Sequence, residues 1–228
     1  MKQSTPSRFG TRGQALLVLL LIFGLQNWLS DRLSVVTLLH TGIFQQVNAA
    51  AAGLGWQFLK LIVLLPPIAF WLLNQRRHFH IAAILANAVL SLELVASTLL
   101  LVLILRGERV GQAINLIEDG VVMFTTNILT FGFWYWIIDG DPFAVSDGTG
   151  NRRSEFLFPQ RASALPGWSD WSPGVADYLF LAFTMSTALG PTDTPVLSRR
   201  AKGLVAVQTV ISLTIITVLI GRALGIMR

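Results

Sequence analysis

The sequence has no cysteine in its 228 residues. That excludes disulfides, thiolate nucleophiles and cysteine-ligated metal centres, and it leaves the redox compartment undetermined. Charge is scarce as well, with Asp, Glu, Lys and Arg together making up 13% of the chain. No basic stripe with interleaved aromatics is present, so nucleic-acid binding is not expected. The motifs of hydrolytic and phosphate chemistry are also missing: there is no HExxH, no GxSxG and no phosphate-cradling glycine loop, and Gly148-Thr149-Gly150 is turn chemistry. The acidic run DGDPFAVSDGTGN at 139–151 breaks the EF-hand spacing and reads as a solvated turn cluster. His78 and His80, two apart in RRHFH, do not share a helical face, and His40 is isolated. The expectation is a protein with no metal, no cofactor and no enzymatic activity.

What the chain has in quantity is apolar sequence. It is 53% hydrophobic, with a mean hydropathy of +0.62, well above a soluble domain of this size. The expected partner is a lipid bilayer. Seven Trp and fourteen Phe gather near the ends of apolar runs, where amphipathic rings settle at membrane interfaces. The 17 Lys and Arg against 12 Asp and Glu give a formal charge of +5, which in a membrane protein reflects cytoplasmic loops.

A helix needs roughly 20 largely apolar residues to cross about 30 Å of hydrocarbon. Five runs qualify: Ala15–Leu29, Trp56–Leu73, Ile81–Leu105, Gly120–Ile138 and Leu204–Leu224. The first follows a Lys2/Arg8/Arg12 head but has no prompt cleavage site, so it reads as a retained anchor. The second holds Pro66-Pro67, which remove backbone donors and are expected to kink it. Asp31–Gly55 is Ala-rich and reads as an extension of the second helix or an interfacial segment. Asp139–Pro173 is the one long polar segment, a loop with interfacial Trp anchors. Ser172 as N-cap and Pro173 at the first helical position then lead into a helical stretch from Val175 to about Ser186. That helix is too short to cross and return as two spans. Irregular backbone follows it, and at membrane depth such backbone is tolerated where protein buries it or where it lines a wet cavity. The pattern of span, short helix, extended turn and span predicts a re-entrant loop. The fold expected is all-α and polytopic, with five spans plus a re-entrant helix between the last two. A membrane region of about three helices (1–112) precedes a pore-loop-like region (113–228).

From that loop to the last span, the order and spacing resemble the pore domain of potassium channels. That family runs membrane helix, pore helix, a TVGYGD-type filter, a Pro-Val segment, a small residue plus Arg, and an inner helix. Here Thr187 keeps a filter-entry threonine, Ala188 replaces the next threonine, and Leu189 stands where Val or Ile is usual. Gly190 and Asp193 match, Pro191 replaces the filter Tyr, Thr192 replaces the second Gly, and Lys202 takes the Arg position. Pro191 fixes φ and lacks an N–H, and Thr192 does not freely take the positive φ that Gly supplies. The resemblance, over about Gly120–Leu224, implies an oligomer, a tetramer by analogy, passing monovalent cations with weak selectivity rather than potassium alone. It implies Asp193 at the mouth and Gln208, Ser212 and Thr214 as polar candidates on the lining helix. A non-conducting scaffold or accessory subunit that keeps the fold is the alternative. TNILTFGFWYWIIDGDP, FLFPQ and the Pro-Thr-Asp-Thr turn also resemble a group of uncharacterised bacterial membrane proteins, which implies a bacterial inner membrane.

Polar residues inside the spans are expensive and therefore informative. Glu93 is expected to be an ion or proton site, or to be neutral or paired within the bundle, with Ser97 on its face and Asn87 on another. Asn127, with Thr126 and Thr130 nearby, is expected to hydrogen-bond across helices. Lys60 and Arg222 are expected to snorkel to the interface. Orientation is contested. With five spans, the positive-inside rule puts the 139–201 loop in the cytoplasm, whereas the channel analogy puts it outside.

Overall fold

The computed structural model describes residues 11–33, 49–104, 113–140, 154–162, 167, 171–187 and 193–226. Over these the chain is helical: α1 (Thr11–Leu33), α2 (Ala49–Leu72), α3 (Arg76–Ile104), α4 (Ala113–Tyr135), the short α5 (Pro159–Ala162), α6 (Val175–Ser186) and α7 (Arg199–Ile226). A π-helical turn, Trp136–Gly140, continues α4. Among the described residues the sole β pairing is an isolated antiparallel bridge between Phe156 and Val196. Apolar sequence takes this form because hydrocarbon offers no partner to backbone N–H and C=O, so each segment must satisfy its own.

Four helices are long and apolar enough to cross a bilayer: Arg12–Ser30, Arg76–Leu99, Ile117–Asp139 and Arg199–Gly221. The described apolar part of α2, Phe58–Leu72, is shorter than a span, although the helix itself begins at Ala49 and continues through Pro66 and Pro67. The Ala-rich stretch thus extends the second helix from Ala49, and residues 34–48 lie outside the described residues. Large apolar side chains face outward on every long helix, among them Leu17, Ile62, Leu92, Val121 and Val210. Soluble monomers rarely show contiguous apolar surface on this scale.

The directions of the helices follow from their contacts. α1 and α3 run parallel, since Arg12 meets Asn74, Gln26 meets Leu90 and Ser30 meets Glu93. α2 returns between them and closes onto α3 through a tight turn. Asn74 there takes φ 55°, and the Asn74 and Gln75 N–H groups bond to the Trp71 and Phe70 carbonyls, the Schellman pattern in which Asn substitutes for Gly. α3 has 29 residues, about 43 Å, while residues 105–112 reach at most about 28 Å. α4 therefore starts at the end where α3 stops. α7 runs antiparallel to α4, with Gly120 against Leu219, Asn127 against Ser212 and Tyr135 against Gln208. Arg12, Asn74, Arg76, Asp139, Glu155 and Arg199 consequently share one end of the bundle, the loop end. α4 sits at the centre, packed against α1, α3, α6 and α7.

The α4–α6 approach depends on one missing side chain. A Cβ placed on Gly132 would lie 2.7 Å from Leu179 Cδ2, 3.0 Å from Leu179 Cα and 3.2 Å from the Tyr178 carbonyl oxygen. Two of these three neighbours are backbone, which cannot turn aside. At Gly120 the contact, 2.4 Å, is with the side-chain tip of Leu219, which can rotate away. Gly132→Ala is expected to destabilise the detergent-solubilised protein by about 1–3 kcal/mol through overpacking, and Gly120→Ala by clearly less. Thermal unfolding of the two variants side by side measures this, and equal effects would contradict the assignment.

Candidate functional site

The region carrying the pore-loop resemblance is built from the loop end of α4, from α6, and from the first turns of α7. α6 starts at Val175, as the sequence suggested, but its cap is not the expected Ser172-Pro173. Gly174 is the N-cap, and its N–H donates to Asp177 Oδ2 at 2.7 Å. Asp177 thus supplies half of a capping box from the third helical position, which fixes the start there. α6 then runs Val175–Ser186, about 18 Å, and ends with Thr187, whose hydroxyl donates to the Thr184 carbonyl at 2.9 Å.

Asp139 organises the entry to α6. The acidic run it begins was expected to be a solvated turn cluster, but Asp139 is 6% exposed. Its Oδ1 accepts the Glu155 N–H at 2.6 Å and the Ser154 hydroxyl at 3.2 Å, and its Oδ2 accepts the Tyr178 hydroxyl at 2.6 Å. One carboxylate therefore joins the end of α4, the 154–155 segment and α6. The rest of the 139–151 run lies outside the described residues. Around this joint is an aromatic cluster: Phe156 lies 5.0 Å from Tyr135 and 6.3 Å from Tyr178, and Phe158 lies 5.4 Å from Tyr178 and 5.7 Å from Trp171, between ring centroids.

The return path closes beside the entry. The Phe156–Val196 bridge carries two backbone bonds, Leu157 N–H to the Pro195 carbonyl at 3.0 Å and Leu197 N–H to the Glu155 carbonyl at 2.9 Å. The Glu155 carboxylate accepts from Arg200 at 3.0 Å and from the Ser198 hydroxyl. The chain thus enters α6 and leaves 193–198 at the same end of the bundle. Deeper in, Gln208 of α7 is fully buried. Its Nε2 donates to the Ala182 carbonyl at 2.8 Å and to Ser186 Oγ at 2.7 Å, and its Oε1 accepts the Tyr135 hydroxyl. Gln208 is nine residues into α7, about 13 Å along its axis, so it pins the C-terminal turn of α6 below the loop end.

The filter-like residues fall unevenly. Thr187 caps α6 and Asp193 is exposed at the start of the return segment, while Ala188, Leu189, Gly190, Pro191 and Thr192 lie outside the described residues. Of the polar residues on the last helix, Gln208 and Ser212 are fully buried and turn into their own chain, where Ser212 Oγ accepts Asn127 Nδ2 at 2.6 Å. Thr214 is half-buried and its hydroxyl donates back to the Val210 carbonyl at 2.8 Å. Asn127 thus makes its bond across helices. Asn87, as its face suggested, does not meet Glu93; it donates to the Thr130 carbonyl at 3.3 Å.

Glu93 belongs to a second polar cluster, between α1, α2 and α3. Lys60 does not snorkel: its side chain is fully buried, and Nζ lies 3.1 Å from Glu93 Oε1 and 3.4 Å from Ser30 Oγ. Ser30 Oγ donates to the same carboxylate oxygen at 2.8 Å. The ammonium turns into the bundle and pairs there, as a charge enclosed by packed helices must. Glu93 Oε2 and Gln26 Oε1 find no donor among the described residues. Also among the described residues, no three His, Cys, Asp or Glu side chains are grouped to hold a metal ion.

Of the site residues, Asp139, Glu155, Tyr178, Tyr135, Ser186 and Lys60 were not signalled as such by sequence. The one hint was the position of Asp139 directly after the apolar run Gly120–Ile138, where a carboxylate at a helix end asks for donors.

Removing one partner of the buried pair leaves an uncompensated charge, which costs about 3–5 kcal/mol, whereas an apolar pair of similar volume is often neutral. Lys60→Met is therefore expected to destabilise by that amount, and Lys60→Met combined with Glu93→Met to recover most of it. Unfolding of the two variants in detergent checks the coupling, and additive losses would contradict the pairing.

No family model matches the chain, and no curated protein or solved structure is significantly similar to it.

Proposed function

We propose that the chain is a channel-like membrane protein in which α6 is a re-entrant helix and 187–193 is the turn at the bottom of a pore loop. The observation that carries this reading is the joint entry and return: Asp139 holds the start of α6, and Glu155 holds the segment that leaves it, at one end of the bundle. A segment that dips into a bilayer and comes back must bury or pair its irregular backbone, and the Gln208 contacts to Ala182 and Ser186 serve that need at its deepest described turn. α2 then counts as the fifth span, running opposite to α1 and α3.

In this reading several copies surround a central path, four by analogy, and α6 aims the negative end of its dipole toward it, which favours cations. Asp193 adds a carboxylate at the mouth. Pro191 and Thr192 stand against a potassium-selective filter, so passage is of monovalent cations with weak selectivity. The membrane is the bacterial inner membrane. The loop end carries Arg12, Arg76, Arg77, Arg199, Arg200 and Lys202, while the described basic residues at the other end are Arg32 and Arg222, with Asp31, Glu118 and Asp119. By the positive-inside rule the loop end is cytoplasmic, opposite to the orientation of a potassium channel.

A non-conducting scaffold is the second reading, and a specific observation favours it. Gln208 and Ser212 spend their hydrogen bonds inside their own chain, which leaves the outward face of α7, with Val207, Val210 and Leu213, apolar. The two readings separate on reconstitution. The channel reading expects an oligomer of several copies and cation flux into liposomes that falls several-fold with Asp193→Asn. A monomer, or vesicles tight to sodium and potassium, leaves the scaffold.

A further inference from the structure

Between α3 and α7 lies an open groove of about 410 Å³. Val95 and Leu99 form one wall, and Ala206 and Val210 the other. The two threonines that line it present no free donor, because Thr98 Oγ1 donates to the Leu94 carbonyl and Thr214 Oγ1 to the Val210 carbonyl, each at 2.8 Å. The groove is therefore apolar along its length.

Its loop-end limit is different in kind. On α7 the positions 199, 202, 206, 210 and 214 follow one another at helical spacing and share a face. Arg199 and Lys202 thus stand directly above Ala206 and Val210. Both are exposed, and neither is in an ion pair among the described residues, since Glu155 takes Arg200. From Lys202 to Thr214 the helix advances about 18 Å, close to the half-thickness of about 30 Å of hydrocarbon.

A basic head over an apolar groove one leaflet deep has the dimensions and charge of a single phospholipid. A helix from a second copy would bring no use for the two cations. We propose that the α3–α7 groove binds one anionic phospholipid from the loop-end leaflet, with its phosphate at Arg199 and Lys202 and one acyl chain against Ala206, Val210 and Leu99. The bound lipid braces the first turns of α7, next to the Glu155–Arg200 contact that closes the return segment.

The test uses the full chain, delipidated in detergent, with phosphatidylglycerol or phosphatidylcholine of identical chains added back. Thermal unfolding reports stabilisation, and native mass spectrometry counts bound lipid. Phosphatidylglycerol is expected to raise the melting temperature more than phosphatidylcholine. That preference should vanish in Arg199→Ala/Lys202→Ala and persist in the control Arg77→Ala, a basic residue at the same end on α3. Ala206→Phe, which fills the groove from an exposed position, should lose the bound lipid. If Ala206→Phe misfolds, the double alanine variant alone decides. Equal stabilisation by both lipids, a preference that survives the double variant, or a change of oligomeric state in Ala206→Phe with lipid binding intact would each overturn the proposal.

Discussion

A carboxylate buried at the end of a membrane helix must find donors, and Asp139 finds three, from Ser154, Glu155 and Tyr178. The placement of the loop depends on that requirement. Because Asp139 extends from α4, its bonds fix where the 154–158 segment lies and where α6 enters. Because Glu155 is one of those donors, its side chain is left to hold Arg200 and Ser198 at the start of α7. Entry and exit are thereby tied to one joint, and the aromatic rings of Tyr135, Phe156, Phe158 and Tyr178 pack over it and exclude water.

The same rule runs down the rest of α4. Thr126, Asn127 and Tyr135 are fully buried, and each side chain finds a partner inside the bundle: Thr126 bonds back to Val122, Asn127 Nδ2 reaches Ser212 and Tyr135 reaches Gln208, while the Thr130 backbone carbonyl accepts from Asn87. In hydrocarbon, apolar surface gives helices little reason to associate, so hydrogen bonds of this kind and close backbone contact specify which helices meet. Gly132 supplies the close contact on the α6 side. The Lys60–Glu93 pair does the corresponding work for α1, α2 and α3, where two charges are tolerable because each neutralises the other.

Much of this was legible in the sequence, for definite reasons. Apolar runs of span length, and the Gly-Val-Ala-Asp-Tyr start of α6, are local signals set by chain chemistry, and the helices cover them. The range Val175–Ser186 was readable because the polar turn after it is abrupt. Partners across helices were not legible. Lys60 looked like a snorkelling lysine because only the packed bundle shows that Glu93 faces it, and Asp139 looked solvated because its donors are from 15 to 39 residues away. The N-cap moved from Ser172 to Gly174 because Asp177 captures the Gly174 N–H, a competition between two reasonable caps that spacing alone does not decide. Gln208 and Ser212 were chosen as polar residues on the last helix; their direction, inward to their own chain, is a property of packing.

The central claim is that the chain goes in and comes back at one end between α4 and α7. Single-cysteine labelling tests it most directly, and the native absence of cysteine means that nothing has to be removed first. Gln75, Asp193 and Glu118, each exposed, would be replaced by Cys one at a time and treated with a membrane-impermeant maleimide in right-side-out and inverted vesicles. The account predicts that Gln75→Cys and Asp193→Cys label from the same side, the cytoplasmic one, and Glu118→Cys from the other. Labelling of Asp193→Cys on the Glu118 side would mean that the segment crosses the membrane, and would contradict it.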